Sequence, residues 1–94
     1  MTAYRITEFT SPTPDKIAAA CEAITETVAK AGADMIDVVI MDEGKGIVIA
    51  RYGSVASMER ATTYNKEAFG ALVAAGVVDG SSIMSRTGDK VFSF

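Results

Sequence analysis

The stretch from Met35 to Tyr52, MIDVVIMDEGKGIVIARY, constrains the fold more than any other part of the chain. Two Ile- and Val-rich arms flank Asp42-Glu43-Gly44, and β-branched residues suit a pleated, half-buried surface. A strand with one wet face alternates apolar and polar residues, whereas a strand covered on both sides is nearly continuous in apolar residues. The first arm is interrupted once, by Asp37, and Ile47-Val48-Ile49-Ala50 is not interrupted at all. Both faces of this hairpin therefore need cover.

The loop sets which residues share a face. Asp42-Glu43-Gly44 suits a three-residue connection in which Gly supplies the left-handed conformation at the third place. An odd loop puts Asp37, Val39, Met41, Ile47, Ile49 and Arg51 on one side, and Ile36, Val38, Ile40, Val48, Ala50 and Tyr52 on the other. A two-residue Glu43-Gly44 turn would swap the faces of one arm, because side chains alternate with a period of two. The odd loop is preferred because it gathers Asp37 and Arg51 on one side.

Upstream, Ala3 to Phe9 alternates loosely and reads as a first strand, ended by Ser11-Pro12-Thr13-Pro14. Thr13 is expected to cap a helix with Pro14 at its first position and Asp15 at its positive end. Ile17, Cys21, Ile24, Val28 and Ala31 then recur at helical spacing, and Lys30 and Gly32 are stop signals. Downstream, Ser54 or Ser57 is expected to cap a second helix running to about Ala75, with Met58, Ala61, Phe69 and Leu72 on its apolar face and Gly76 closing it. Ser81 to Thr87 reads as a strand, Gly88-Asp89 as a turn, and Lys90 to Phe94 as a short fifth strand or tail.

That order, β-α-β-β-α-β with a C-terminal extension, is the ferredoxin-like arrangement, an α+β fold with an antiparallel sheet. The whole chain, 1–94, is read as one domain of this kind. Two helices cover only one side of four strands. The side with Val39, Met41, Ile47 and Ile49 is left wet, representing roughly 6–12 kcal/mol of burial at about 1.5–3 kcal/mol per side chain. A patch of that size marks an interaction surface, and the same face of a second copy is the simplest cover, so a homodimer packed sheet to sheet is expected.

Composition excludes several functions. The chain has no histidine, no tryptophan and one cysteine, which argues against zinc sites, haem held by histidine and every histidine-based triad. No metal and no cofactor is expected. The net charge is −3 with scattered basic residues, whereas a nucleic-acid binder carries a clustered basic stripe. Lys45 to Tyr52 loosely echoes an RNA-recognition strand, but Ile47 and Ile49 stand where bases would need aromatic rings. Partners therefore include no nucleic acid. No apolar run is long enough for a membrane helix, and Met1-Thr2-Ala3-Tyr4 lacks the regions of a signal peptide, so no membrane and a cytoplasmic, reducing setting are expected.

Among single residues, Asn65 is the most informative. It falls in the middle of the second helix's apolar stripe, and a buried amide must find partners. It is either a ligand-orienting group in a helix–sheet pocket or a structural amide satisfied internally. Asp37 and Arg51 either pair within the subunit interface or, with Arg5 and Arg86 if their strands align, form a cluster for an anionic ligand; otherwise they simply reach water. Cys21 lacks a base and reads as a small hydrophobe on a helix face, and the five methionines read as core filler.

With its length, element order, central hairpin, Tyr52-Gly53-Ser54 and Gly76-Val77-Val78-Asp79-Gly80, the chain resembles the dimeric α/β-barrel superfamily, and within it small antibiotic-biosynthesis-monooxygenase-like proteins of unassigned function. The resemblance spans essentially the whole chain and implies a pocket between helices and sheet. Haem-degrading members use a helix histidine and a tryptophan, both missing here. Cofactor-free members rely on Asn, Tyr and often Trp or Arg; Asn65, Tyr64, Tyr52 and Tyr4 supply part of that set, with Arg51 as a further ligand-binding candidate and Asn65 as the best catalytic one. Three functions follow as alternatives: a small-molecule-binding dimeric barrel; a cofactor-independent monooxygenase or isomerase acting on a small aromatic or polyketide-like substrate; and a purely structural or partner-binding module.

Overall fold

In the computed structural model, which describes residues 2–94, strands β1 (Ala3–Thr10), β2 (Met35–Ile40), β3 (Lys45–Tyr52) and β4 (Met84–Asp89) form one sheet in the order β2-β3-β1-β4. Met1, part of the start read above for a signal peptide, lies outside the described residues. Every pairing is antiparallel. The fold is α+β and ferredoxin-like, as the order of elements predicts. Among the described residues no helix is long and apolar enough to cross a membrane.

The hairpin closes through Asp42–Gly44, with Met41 N–H donating to the Lys45 carbonyl at 2.7 Å. Asp37 stands opposite Ile49 and Val39 opposite Ile47, so the faces are those of the odd loop. Gly44 takes the left-handed conformation (φ 74°), and Glu43 before it does too (φ 64°). A side chain at position 44 would also collide with the carbonyl of Ser11, whose N–H donates to the Gly44 carbonyl at 2.7 Å. The loop is thus clamped onto the end of β1.

The first helical arm is more broken than its periodicity predicts. It begins as a 3-10 turn at Pro14–Lys16 and continues as α1 (Ile17–Ala23) and α2 (Thr25–Ala29). Thr13 does not cap it; its hydroxyl donates instead to the Gly76 carbonyl at 3.3 Å, tying the arm to the end of the second helical arm. At Ile24 the backbone leaves helical values, and the Thr25 hydroxyl donates back to the Glu22 carbonyl at 2.9 Å. Such back-bonding competes with the helical ladder and bends it.

Ser54 caps the second arm as expected, its Oγ accepting from Ser57 N–H at 3.0 Å. That arm runs as α3 (Val55–Arg60) and α4 (Thr62–Ala74). Its end is a Schellman motif: Val77 N–H donates to the Leu72 carbonyl and Gly76 N–H to the Val73 carbonyl, with Gly76 at φ 77°. Leu72 and Val77 pack in the same core cluster, the hydrophobic contact that accompanies this motif.

The expected last strand is shifted. Asp79 Oδ1 accepts from Ser81 N–H at 3.0 Å and holds Gly80–Ser82 as a 3-10 turn, so β4 starts at Met84 rather than Ser81. It then runs through Gly88 and Asp89, where a turn was expected, because Tyr4 and Ala3 still offer pairing partners there. Residues 90–94 form a tail without regular structure.

Helices cover one face of the sheet, the face bearing Ala3, Phe9, Ala50 and Tyr52. The opposite face is bare. Ile6, Val39 and Met84 there are 40, 43 and 52% exposed, as the shortage of helices requires.

Candidate functional site

The inward face of β1 reads Ala3, Arg5, Thr7, Phe9, apolar only at its two ends. The core divides accordingly. One cluster gathers Ala3, Ala50, Tyr52, Met58 and Ala61; the other gathers Phe9, Ile17, Leu72, Val77 and Val78. Between them, under α4, lies a cleft of about 640 Å³. Its floor is Arg5 and Thr7 of β1, Ile36 of β2, Val48 and Ala50 of β3 and Ser85 and Thr87 of β4. Thr62, Asn65, Lys66, Phe69, Gly70 and Val73 of α4 form its roof, and Gly80 and Ile83 stand at one end. The volume falls within the range of small-molecule sites, and a few polar groups among apolar walls is their usual composition.

Three polar contacts organise the walls. Asn65, projected inward by the helical stripe that also carries Ala61, Ala68 and Leu72, donates through Nδ2 to the Tyr52 hydroxyl at 3.1 Å. Tyr52 is fully buried behind it, so this bond satisfies a phenol that has no access to water. Arg5 Nη2 donates to Thr62 Oγ1 at 3.0 Å and to the Met58 carbonyl at 3.4 Å, linking β1 to both segments of the second helical arm. The hydroxyls of Thr7 and Ser85, register partners on neighbouring strands, lie 3.1 Å apart.

The residues singled out from the sequence fall into separate places. Asn65 lines the cleft and Tyr52 supports it. Tyr64 sits elsewhere on α4, packed against the first core cluster and lining a smaller depression with Lys30, Ser57 and Arg60. Tyr4 and Arg51 are register partners on the bare face, away from the cleft. Asp37 and Arg86 share that bare face, but Arg5 does not, so the expected four-residue charge cluster does not assemble. Cys21 is half-buried against the second cluster, and burial pushes its thiol up, which disfavours the thiolate.

Arg5, Thr7, Thr62, Ser85 and Thr87 are cleft residues that sequence reasoning did not assign to a pocket. For β1 the signal is incomplete: Arg5 and Thr7 share alternation with Ala3 and Phe9, but the other set, Tyr4-Ile6-Glu8-Thr10, mixes apolar and polar residues too, so alternation alone does not choose the inward one. For the hydroxyl residues of β4 no comparable signal exists, since that strand has no apolar periodicity.

No protein-family model and no curated protein matches the sequence. Solved structures do. SnoaB, a cofactor-independent oxygenase from Streptomyces nogalater, superposes with a TM-score of 0.74 at 12% identity, over 98% of this chain and 95% of that one. A candidate antibiotic biosynthesis monooxygenase from Caulobacter crescentus CB15 gives 0.68 at 18% identity, covering 97% of this chain and 91% of that one. Rv0793 from Mycobacterium tuberculosis gives 0.64 at 16%, covering 99% and 98%. The fold is theirs. At these identities the likeness establishes the ferredoxin-like architecture of antibiotic-biosynthesis-monooxygenase-like structures, and activity has to be argued from the cleft itself.

Proposed function

We propose that this protein binds a small, largely apolar molecule in the cleft between α4 and the sheet, and does so as a homodimer joined through the bare sheet face. The observation that carries the reading is the cleft: a partly open groove of about 640 Å³ between α4 and the sheet, with mainly apolar walls. Its volume, apolar walls and inward Asn65 and Arg5 suit a ring system with a polar substituent. The bare face, with Ile6, Ile47 and Ile49 at its middle, supports the dimer.

A catalytic version of this reading is favoured by one further observation. One Asn65 N–H is used by Tyr52, which fixes the amide in the cleft wall, and its Oδ1 and second N–H are left to orient a substrate. SnoaB, one of the structures sharing this fold, is a cofactor-independent oxygenase. A reaction of that class here would use an electron-rich aromatic substrate as its own reductant. The substrate would keep one oxygen atom of O2 and give up two hydrogens, which leave with the other oxygen as water. Oxygen uptake with polycyclic phenols is the test. Turnover that Asn65→Ala abolishes, with binding kept, is the expected result for an enzyme; binding without oxygen uptake leaves a binding protein, and neither binding nor uptake removes the small-molecule reading.

A further inference from the structure

The charge of the cleft points to its ligand. Its lining holds two cations, Arg5 and Lys66, and no carboxylate, although the chain as a whole carries a net charge of −3. The local sign therefore opposes the global one. Arg5 is half-buried in the floor, and Nη2 makes both of its contacts, to neutral oxygens of Thr62 and Met58. A guanidinium has five N–H donors in a rigid fork, so Nη1 and Nε remain for something else. A cation against apolar walls without a counter-ion is costly to keep, and an oxyanion arriving there offsets that cost through charge-assisted, bidentate bonds. The hydroxyls close by add neutral donors: Thr87 is the register partner of Arg5, and the Thr7–Ser85 pair is the next inward step along the same strands. Phe69, Val73 and Ile83 provide the apolar remainder of the wall.

We infer that the cleft selects an anionic amphipathic ligand, a carboxylate on a one- to three-ring apolar body, with Arg5 holding the carboxylate. The inference rests on the cleft being a binding site, as proposed above. It assigns to Arg5 the role of specificity-determining contact. Lys66, exposed on α4 at the edge of the same cleft, adds attraction for an anion on its way in.

The test is a matched pair of probes, 2-naphthoate and its neutral isostere 2-naphthamide, titrated against the whole chain and followed by backbone amide shifts. The expected result is that both perturb residues of β1, α4 and β4 around the cleft, with naphthoate binding at least ten-fold more tightly. In Arg5→Gln, which removes the charge and leaves a shorter, neutral polar side chain, the two probes should bind within about two-fold of each other. Arg5→Lys, retaining charge without the fork, should keep a reduced preference for naphthoate. Equal binding of the two probes to the unaltered protein overturns the anion preference while leaving the binding site standing, and that comparison needs no variant to fold. A preference that survives in Arg5→Gln overturns the assignment to Arg5. Failure of both probes to move any cleft resonance at millimolar concentration overturns the site together with its charge preference.

Discussion

Asn65 and Tyr52 form the most exacting pair in the protein, because one partner is fully buried and the other lines the cleft. Removing the amide alone leaves the Tyr52 hydroxyl without a partner, so Asn65→Ala should cost about 1–3 kcal/mol of stability. Tyr52→Phe removes the orphan as well as the bond. The double variant, Tyr52→Phe with Asn65→Leu, should therefore be closer to the unaltered protein than Asn65→Ala is. Urea unfolding of the unaltered protein, Tyr52→Phe, Asn65→Leu and their combination forms a double-mutant cycle that checks the bond, with a coupling energy indistinguishable from zero counting against it. Asn65's inward position was legible in the sequence, since it falls within a clear helical stripe. Its partner was not, because which tyrosine lies across from it depends on how α4 crosses β3.

At the scale of elements, the hairpin and its clamp on β1 hold the sheet in register. Gly46, the second residue of β3, sits opposite Phe9, and a methyl group there would fall within the Phe9 ring. Phe9 belongs to the second core cluster and meets Phe69 edge-on at 6.4 Å between centroids, so it has little room to retreat. Gly46→Ala should destabilise by about 1–3 kcal/mol through overpacking, seen as a lower denaturation midpoint with an unchanged slope. A neutral result would mean that Phe9 can rotate away. The hairpin's faces and the Ser54 cap were readable from turn and cap chemistry. Thr13 was misread as a cap and Ser81 as strand because their hydrogen bonds go to Gly76 and Asp79, and the Gly76 partner lies far off along the chain.

For the molecule as a whole, one face of the sheet is finished by helices and the other is not. Ile49 lies between Ile6 of β1 and Asp37 of β2 on the bare side, at the centre of the surface proposed to meet a second copy. Ile49→Lys would place a charge in that interface opposite Asp37, its cross-strand partner of the other sign, so it should convert dimer to monomer without loss of secondary structure. Sedimentation at micromolar concentration with far-UV circular dichroism measures both. A monomeric unaltered protein would remove the dimer but not the cleft, whose lining comes from a single chain.

What the sequence determined by itself is the order of elements, the two faces of the hairpin, the inward stripe of the second helical arm and the need to cover an apolar sheet face. These follow from local periodicity and turn chemistry, which neighbouring residues alone impose. The tertiary structure decided the phase of β1. Its two alternating sets, Ala3-Arg5-Thr7-Phe9 and Tyr4-Ile6-Glu8-Thr10, each mix apolar with polar residues, so a period of two does not choose between them. Pairing Arg5 with Ala50 and Thr87 turned Arg5 into the cleft and left Arg51 outside it, and the position of that one charge follows from strand registry rather than from any local signal.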